Sequence, residues 1–543
     1  MAYGSPSGPA SNRHAMARGP AELIVVGGTI HTADDAYPSA QAFAVRGGRF
    51  AHVGSVNDAM ALRGPATEVL DLREQTVLPG LIDAHLHLTN LGLKLEQVQL
   101  DGVRSVEELV ERTAAFARTA CEPWILGRGW DENLWARNAF PTHEALSAAI
   151  PDRPVALARV DGHALLANAR AMSLAGIDES TPAPPGGRIA RDARGKPTGI
   201  FVDAAVALVY DCVPKPAHEQ LVRATRAAVA ECNRSGVTAV AEPGCGDAVL
   251  AAHAELIENG EYSIRNYAML HDEPSLIEAH GRSGAVEGAY DGRLWVRAIK
   301  MYADGALGSR GAALLAPYSD DPSNVGLIVT PQERIETVAR SAFRTGFQIC
   351  VHAIGDRANR MVLDAYQTAL QGIGPGAGLR PRIEHAQVIA REDVPRLAKL
   401  GVIVSMQAAH AISDAAWAPA RLGPLRIRDA YAWRAVLDSG SIVANGTDAP
   451  VEPVSTARTF RASIAGHRSA HECMTRREAL ASMTIWAAYA NFQERLIGSI
   501  APGKYADFVV MDRDWMTAAP EAIEQTEILA TYFAGRRVYA FMD

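Results

Sequence analysis

Apolar runs of eight to twelve residues recur along most of this chain and alternate with amphipathic stretches. Such runs suit strands that are buried on both faces, as in a parallel sheet. The stretches between most of them have helical periodicity, for example residues 331–346 and 356–372. Eight strands separated by helices predict an α/β fold, the (β/α)8 or TIM barrel. The predicted barrel strands are residues 77–88, 236–243, 262–270, 294–304, 347–356, 381–388, 401–409 and 441–450.

Both ends of the chain are rich in short strand patterns, whereas the middle is not. The glycine pairs Gly27-Gly28 and Gly47-Gly48 supply turns between the N-terminal strands. Chain termini often lie close together. We therefore predict one small β-sandwich built from both termini, residues 21–76 and 495–543. Two separate β caps are the alternative.

About 140 residues separate the first predicted barrel strand from the second, far more than an ordinary connection. This segment has a pattern of its own, helical over residues 105–120 and strand-like over 123–131. We predict an α/β insertion after the first barrel strand, residues 96–235, lying over the active site. The barrel itself is assigned to residues 77–95 and 236–494.

The composition is ordinary for a soluble globular protein, with 48% hydrophobic and 21% charged residues. A net charge of -8 and the lack of a basic cluster argue against a nucleic-acid surface. No apolar run is long enough to span a bilayer. We therefore expect the partner to be a small-molecule substrate, and we expect the protein to bind neither nucleic acid nor a membrane. A homodimer is the oligomeric state that we consider.

The N-terminal segment and the cysteines bear on location. Residues 1–20 are rich in Gly, Pro, Ser and Ala and lack the apolar centre of a secretory signal, so we predict a disordered lead-in. The six cysteines are scattered and never form a CxxC pair. This favours reduced thiols over disulfides or a thiolate zinc site, and it predicts a cytoplasmic protein.

Possible metal ligands stand late in five of the predicted barrel strands. Active sites of such barrels lie at the carboxyl ends of the strands. Two of the ligands are two residues apart on the first strand, so their imidazoles would share one face. Imidazole and carboxylate together suit zinc or a similar divalent ion. The predicted metal ligands are His85, His87, Lys300, His352, His385 and Asp448.

Each of these residues also has a structural alternative. The histidines could fill the barrel core, Lys300 could be an ion-pair partner, and Asp448 could cap a turn. Asp83 shares the strand face of the first two histidines and could orient a ligand or be structural. The coincidence of suitable ligands at five strand ends favours the metal site.

Lys300 is unusual among metal ligands because an ammonium group repels cations. Burial beside cations would lower its pKa and favour the neutral amine. A neutral amine can react with carbon dioxide to give a carbamate, which is an anionic oxygen donor. If two ions are bound, a carboxylated Lys300 could bridge them.

Several longer segments resemble the amidohydrolase superfamily, and more closely its YtcJ-type branch, amidohydrolase family 3. They extend over nearly the whole chain from about residue 22 onward. The resemblance implies a metal-dependent barrel, a β-sandwich built from both termini, and a carboxylated lysine at the position of Lys300. The matching segments are LPGLIDAHLHL, GRGWDENLW, VDGHALLANARAM, IKMYADGALGSRGA, VHAIGDRAN, RIEHAQV, NGTDAPVEP and SIAPGKYADFVVMD.

Five further residues are predicted to contact the substrate. Trp130 and Asp131, in the insertion, could roof the pocket, with ordinary packing as the alternative. The resemblance implies that His163 and Arg310 line the pocket. Trp417, between the last two barrel strands, could supply an apolar wall.

The predicted reaction is hydrolysis of a C–N bond of the amide type, with one or two zinc ions supplying an activated water and a polarised carbonyl. Asp448 is the predicted general base, which then delivers the proton to the leaving amine. His163 is predicted to stabilise the oxyanion. By analogy with deformylase-like relatives, the substrate is an N-formyl or N-acyl amide.

Other reactions remain open within the same class. Carbamates, esters and cyclic amides are alternative substrates. Deaminases of the superfamily typically carry a glutamate three residues after the fifth-strand histidine. Here Gly355 stands at that place, which counts against deamination. The remaining alternative is a non-catalytic barrel scaffold, although such proteins usually lose their ligands.

Overall fold

The computed structural model describes residues 19–137, 139–159, 164–184, 187–373, 378–466 and 470–541. Residues 1–18 of the predicted lead-in therefore lie outside the described residues. The chain forms two compact units. The first joins residues 1–88 to Ala228–Asp543, and the second is Thr89–Ala227.

The strands of both units are numbered here in chain order. They are β1 (Leu23–His31), β2 (Ser39–Arg46), β3 (Arg49–Gly54), β4 (Glu68–Asp71), β5 (Thr76–Pro79), β6 (Leu81–Asp83), β7 (Val98–Gln99), β8 (Ile125–Trp130), β9 (Val155–Arg159), β10 (Ala164–Ala167), β11 (Gly187–Arg191), β12 (Pro197–Asp203), β13 (Val237–Cys245), β14 (Arg265–His271), β15 (Val286–Gly288), β16 (Leu294–Tyr302), β17 (Gln348–Ala353), β18 (Arg382–His385), β19 (Ile403–Met406), β20 (Val443–Asn445), β21 (Phe508–Met511), β22 (Ile528–Phe533) and β23 (Arg536–Ala540).

The helices follow the same numbering. They are α1 (Val56–Met60), α2 (Leu88–Leu95), α3 (Val106–Ala117), α4 (Glu144–Ala149), α5 (Ala169–Leu174), α6 (Ala207–Tyr210), α7 (His218–Arg234), α8 (Asp247–Glu258), α9 (Pro274–Ser283), α10 (Ala289–Gly292), α11 (Gln332–Thr345), α12 (Asp356–Ala369), α13 (Val394–Leu400), α14 (His410–Ser413), α15 (Ala418–Arg426), α16 (Trp433–Asp438), α17 (Thr456–Ala465), α18 (Arg476–Ser482), α19 (Ile485–Ala490) and α20 (Pro520–Ile523).

The first unit contains a parallel barrel of eight strands. Neighbouring strands pair in the order β6-β13-β14-β16-β17-β18-β19-β20, and the short β15 adds to β16 in the antiparallel sense. The ladder is open between β20 and β6, but the Ala84 N–H donates to the Asn445 carbonyl at 3.0 Å just past both strand ends. The predicted α/β barrel is thus confirmed, and its first and last strands are joined at the carboxyl edge.

The first predicted barrel strand is in fact two strands with different partners. β5 pairs with β1 and β21 in the terminal sheet, whereas β6 pairs with β13 in the barrel. Gly80 lies between them, and a Cβ there would stand 2.2 Å from Thr238 Oγ1. The chain therefore passes from one sheet to the other through a position that only glycine fits.

The expectation that His85 and His87 lie on this strand is wrong. β6 ends at Asp83, whose Oδ1 accepts the N–H of His85 at 3.1 Å. A side-chain acceptor two residues before the donor forms an Asx turn, which replaces the next bond of the sheet ladder. Both histidines therefore lie in the loop that follows the strand.

The two ends of the chain form one eight-stranded sheet, ordered β23-β22-β21-β5-β1-β2-β3 with β4 added to β1. Its core joins residues distant in sequence. The ring of Phe508 lies 5.0 Å from that of Phe43 and stacks on Tyr532 at 4.3 Å. Apolar residues from both termini thus share one core, as the fold prediction required.

The second unit has a mixed sheet of six strands, ordered β11-β12-β10-β9-β8-β7, with α3 and α5 packed on it. This confirms the predicted α/β insertion. Its limits, Thr89–Ala227, precede the predicted 96–235 by several residues at each end. Within this unit α2 packs closely on α7: a Cβ at Gly92 would stand 1.8 Å from the Ala224 carbonyl oxygen.

A buried ion pair connects barrel strand β14 to the terminal sheet. Arg265 donates from Nε to Asp507 Oδ2 at 2.7 Å and from a terminal nitrogen to Oδ1 at 3.1 Å. The Arg265 guanidinium also lies 3.7 Å from the centre of the Tyr505 ring. Removal of one partner would leave an unpaired buried charge, which is strongly destabilising.

We expect Asp507→Ala to lower the free energy of unfolding by about 3–5 kcal/mol, because Arg265 stays buried without its carboxylate. Urea unfolding followed by circular dichroism measures the change. Glu278→Ala is the matched control, since Glu278 forms an exposed pair with Arg282 on one helix and its removal should cost about 0.5 kcal/mol or less. Equal shifts for the two variants would contradict the role assigned to the buried pair.

Candidate metal centre

The six predicted metal ligands all lie at the carboxyl edge of the barrel, within the first unit. His85 and His87 share the loop after β6, and each of the other four comes from a different strand end. Lys300 lies on β16, His352 on β17 and His385 at the end of β18. Asp448 follows β20 by three residues.

The structure brings these side chains together. Asp448 Oδ1 is 3.4 Å from His87 Nε2 and 3.6 Å from His85 Nε2. Lys300 Nζ is 3.4 Å from His85 Nε2. The His385 ring lies 4.8 Å from the ring of His85 and 4.5 Å from that of His352. A single cluster therefore contains all six residues.

The backbone around Asp448 is held in a left-handed conformation with φ of +57°. Such a conformation costs free energy for a residue other than glycine and persists only when its surroundings fix it. Here the Asp448 N–H donates to the His85 carbonyl at 2.7 Å, and the Thr447 N–H and hydroxyl donate to the Asp83 carboxylate. The loops after the first and last barrel strands thus hold each other in place.

Burial sets the protonation of the cluster. It lowers the pKa of His85 to about 4 and that of His352 to about 3, with the nearby Lys300 adding to both shifts. Burial likewise lowers the pKa of Lys300. It opposes ionisation of Asp448, but the surrounding histidines hold the pKa of that carboxyl well below its ordinary value. At neutral pH the imidazoles of His85 and His352 are therefore uncharged, and Asp448 is an ionised carboxylate.

Hydrogen bonds fix which ring nitrogen two of the histidines present. Glu384 Oε2 lies 2.5 Å from His85 Nδ1, and Glu384 is itself paired with the buried Arg382 at 2.9 Å. Gln407 Oε1 lies 2.7 Å from His385 Nδ1, while its amide nitrogen donates to the Ser405 carbonyl. Both acceptors favour the tautomer with the proton on Nδ1, which leaves Nε2 as a free lone pair.

These observations fit a divalent metal ion. The Nε2 atoms of His352 and His410 are buried and have no hydrogen-bond partner among the described residues. Two groups of side chains have ligand atoms within 4.8 Å of one another: His85 with His87 and Asp448, and His385 with His410 and Asp448. Neutral imidazoles with a carboxylate are the donors that zinc and similar ions prefer.

His410 is a residue near the cluster that the sequence analysis missed. It begins α14, four residues after the end of β19. The predicted seventh strand ended at residue 409, one position short of it. A systematic search for imidazoles just beyond each barrel strand would have found it, because the loops after the strands carry the ligands in this fold.

Tyr302 was also missed. It lies two residues after Lys300 on β16, so both side chains share one face of the strand. Lys300 is 1% exposed, whereas Tyr302 is 37% exposed, with its ring 5.6 Å from that of His352. Tyr302 is thus the solvent-accessible neighbour of the cluster.

Two of the predicted substrate contacts have hydrogen-bond partners within the chain. Trp130 is fully buried in the core of the second unit and donates its indole N–H to the Leu157 carbonyl at 2.8 Å. Packing, the alternative considered for it, is what the structure shows. Arg310 binds both oxygens of Asp320, at 3.1 and 3.0 Å, which holds together the loop after β16.

Arg310 and the other three contacts stay predictions. Asp131, in the second unit, pairs with Arg159 at 2.8 Å. Trp417 is partly buried, and its ring lies so close to Gly308 that a Cβ there would stand 3.3 Å from it. His163 lies outside the described residues.

The family follows from comparison with known proteins. A family model described as "Amidohydrolase family" matches residues 68–539. The chain belongs to the amidohydrolase family. The family prediction is thereby confirmed, and the chain is a hydrolase whose family members are metal-dependent.

Individual family relatives match along almost the whole chain. The putative amidohydrolase YtcJ of Bacillus subtilis is 32% identical, covering 94% of this chain and 98% of its own. An N-substituted formamide deformylase of Arthrobacter pascens is 28% identical, covering 95% and 97%. A crystal structure of an uncharacterized metal-dependent hydrolase from Pyrococcus furiosus superposes with a TM-score of 0.79 at 29% identity, covering 91% of this chain and all of the other.

We expect Gln407→Met to weaken metal binding by about 10–100-fold, because the Nδ1 proton of His385 loses its acceptor and the ring its fixed orientation. Competition with a zinc chelator measures the affinity. Gln332→Met is the control, since the Gln332 amide donates to Glu336 on the same outer helix, α11. Unchanged zinc affinity in Gln407→Met would show that this hydrogen bond does not position a ligand.

Proposed function

We propose that this amidohydrolase cleaves the C–N bond of an N-formyl or N-acyl amide, with Asp448 as the general base. The observation that carries the proposal is the placement of an ionised, buried Asp448 carboxylate against the Nε2 atoms of His85 and His87. This arrangement joins ligands for a divalent ion to a group that can accept a proton beside it.

The ion supplies two things when bound: a water of lowered pKa and polarisation of the substrate carbonyl. Asp448 accepts the proton of the attacking water at a carboxylate oxygen and delivers it to the leaving nitrogen. The ligands would be His85, His87, His352, His385 and Asp448. His163 is proposed to donate a hydrogen bond to the oxyanion.

Zinc is the ion we propose, because uncharged imidazoles and carboxylate oxygen form its usual ligand set. Carboxylation of Lys300 stays a prediction. What supports it is burial, which lowers the pKa of the Lys300 amine and so favours the neutral form that reacts with carbon dioxide. A cytoplasmic location also stays a prediction, which the absence of disulfides among the six described cysteines favours.

No helix in the described ranges combines the length and the hydrophobicity that crossing a membrane requires.

The surroundings of Gly355 support hydrolysis of an amide over deamination. Its N–H donates to Asp304 Oδ2 at 2.8 Å, and a Cβ at this position would stand 2.0 Å from the Ala313 carbonyl oxygen. No side chain fits there, so the glutamate expected of a deaminase is excluded for steric reasons. The proposed substrate class rests on the relative named as an N-substituted formamide deformylase.

A panel of formamides, acetamides, carbamates, esters and aminopurines tests the bond type. We expect an N-substituted formamide to yield formate and amine, with the activity lost on chelation and restored by zinc. Ammonia release from an aminopurine, or cleavage of esters alone, would contradict the proposal. Activity that survives exhaustive chelation would contradict the metal dependence.

Replacement of the general base is the second test. With zinc in excess, we expect Asp448→Asn to lower kcat by about 10²–10⁴-fold, because the amide cannot accept the water proton. Asp364→Asn, which removes the partner of Arg396 between helices α12 and α13, is the control and should retain activity within a few-fold. An Asp448→Asn enzyme with unchanged kcat would refute the assigned role.

A further inference from the structure

Tyr302 lies on the inner wall of the barrel, two residues beyond Lys300. Lys300 Nζ is 3.4 Å from His85 Nε2, in the loop after β6, and β6 is three positions away from β16 in the barrel order. Side chains two residues apart on a strand share a face, so Tyr302 faces the same interior space. Lys300 is 1% exposed and Tyr302 is 37% exposed, which places the Tyr302 ring at the mouth of the barrel.

The ring of Tyr302 borders the predicted metal ligands. Tyr302 and His352 are partners in the parallel ladder of β16 and β17, and their rings lie 5.6 Å apart at an angle of 44°. Lys300 Nζ lies 5.1 Å from the centre of the Tyr302 ring. The aromatic ring thus forms one side of the space beside these ligands.

The backbone next to this ring is held by buried hydrogen bonds. The Ala303 N–H donates to the His352 carbonyl at 2.8 Å, and the Ala303 carbonyl accepts the N–H of Val329 at 2.8 Å. Asp304 is buried and accepts the N–H of Gly355, from the loop after β17, at 2.8 Å. Movement of this wall away from the centre would leave these buried groups unpaired, which costs free energy.

Asp448 lies on the opposite wall. It follows β20, which is separated from β16 by three strands in either direction around the barrel. Asp448 Oδ1 is 3.6 Å from His85 Nε2, and the same nitrogen is 3.4 Å from Lys300 Nζ. The cluster therefore extends across the barrel from Asp448, through His85, to Lys300, and Tyr302 stands at its far end.

These positions orient an amide substrate. In the proposed mechanism Asp448 delivers a proton to the leaving nitrogen, so that nitrogen lies beside Asp448. The amide group is planar, and its acyl substituent projects from the carbonyl carbon on the side away from the nitrogen. With the nitrogen at Asp448, the acyl substituent is directed across the cluster toward Tyr302.

We propose that the Tyr302 ring limits the acyl group that the enzyme accepts, so that formyl compounds are cleaved in preference to acetyl and larger acyl compounds. The inference rests on the proposed function in placing the leaving nitrogen beside Asp448. A formyl carbon carries only hydrogen on the side of the ring, whereas an acetyl carbon carries a methyl group that competes with the ring for space. Of the N-formyl and N-acyl amides, Tyr302 thus selects the first.

The ratio of kcat/KM for formanilide to that for acetanilide measures this preference, since both amides release aniline. Because the two amides differ in intrinsic reactivity, each ratio is divided by the ratio for hydroxide alone. One methyl group changes kcat/KM by about 10–200-fold in a fitted pocket, so we expect a corrected ratio of at least about 10 in the wild type. The ratio should fall at least tenfold in Tyr302→Ala and stay high in Tyr302→Phe, which keeps the ring.

Tyr37→Ala is the matched control, since the Tyr37 side chain is exposed between β1 and β2 of the terminal sheet, and it should retain the wild-type ratio. Zinc content and circular dichroism check the centre and the fold of Tyr302→Ala. An unchanged ratio in Tyr302→Ala, or an equal fall in Tyr302→Phe, would overturn the inference. So would a wild type with a corrected ratio near one, a measurement that needs no variant.

Ethyl formate and ethyl acetate distinguish failure of this inference from failure of the proposed function. A wild type that cleaves formanilide, with the same acyl preference in Tyr302→Ala, refutes the role of Tyr302 alone. A wild type that cleaves the esters but neither anilide refutes the assignment to a C–N bond. In that case a tenfold fall of the ester ratio in Tyr302→Ala still supports the acyl limit, and an unchanged ester ratio overturns it.

Discussion

The join between the first and last strands of the barrel is the constraint on which the centre depends. The Asp83 carboxylate accepts hydrogen bonds from the N–H groups of His85 and Thr447 and from the Thr447 hydroxyl. Gly446 lies so close to the loop after β6 that a Cβ there would stand 2.5 Å from the backbone nitrogen of His85. These contacts place two histidines and Asp448 opposite one another, and they hold Asp448 in an otherwise unfavourable backbone conformation. The centre is thus preorganised by backbone and buried polar groups.

Buried hydrogen-bonding residues outside the ligand set fix the orientation of two of the ligand histidines. Glu384 is placed between Arg382 and His85, and burial of these charges is tolerable because each is paired. Gln407 performs the same role for His385 with a neutral amide. Because desolvation lowers the pKa of His85, His352 and His385, their ring nitrogens are available as ligands without loss of a proton. The protein therefore controls both the direction and the charge of its ligands.

The loops that follow barrel strands β16 and β17 limit which side chains fit beside the metal centre. Asp304 accepts the N–H groups of Ala313, Ile354 and Gly355, which draws the loops after β16 and β17 together. This close approach leaves no space for a side chain at residue 355, where a deaminase would need its acid. This steric contact counts against deamination, whereas the assignment as a hydrolase rests on the family relationship.

The sequence by itself determined the barrel, the insertion, the terminal sheet and the positions of six possible ligands. This was possible because buried parallel strands are continuous apolar runs, and because ligands in this fold follow those runs. Tertiary structure decided the rest. It divided the first strand at Gly80, buried Trp130, engaged Arg310 with Asp320 and brought His410 beside Asp448. Each of these depends on contacts between residues far apart in the chain, which local periodicity does not encode.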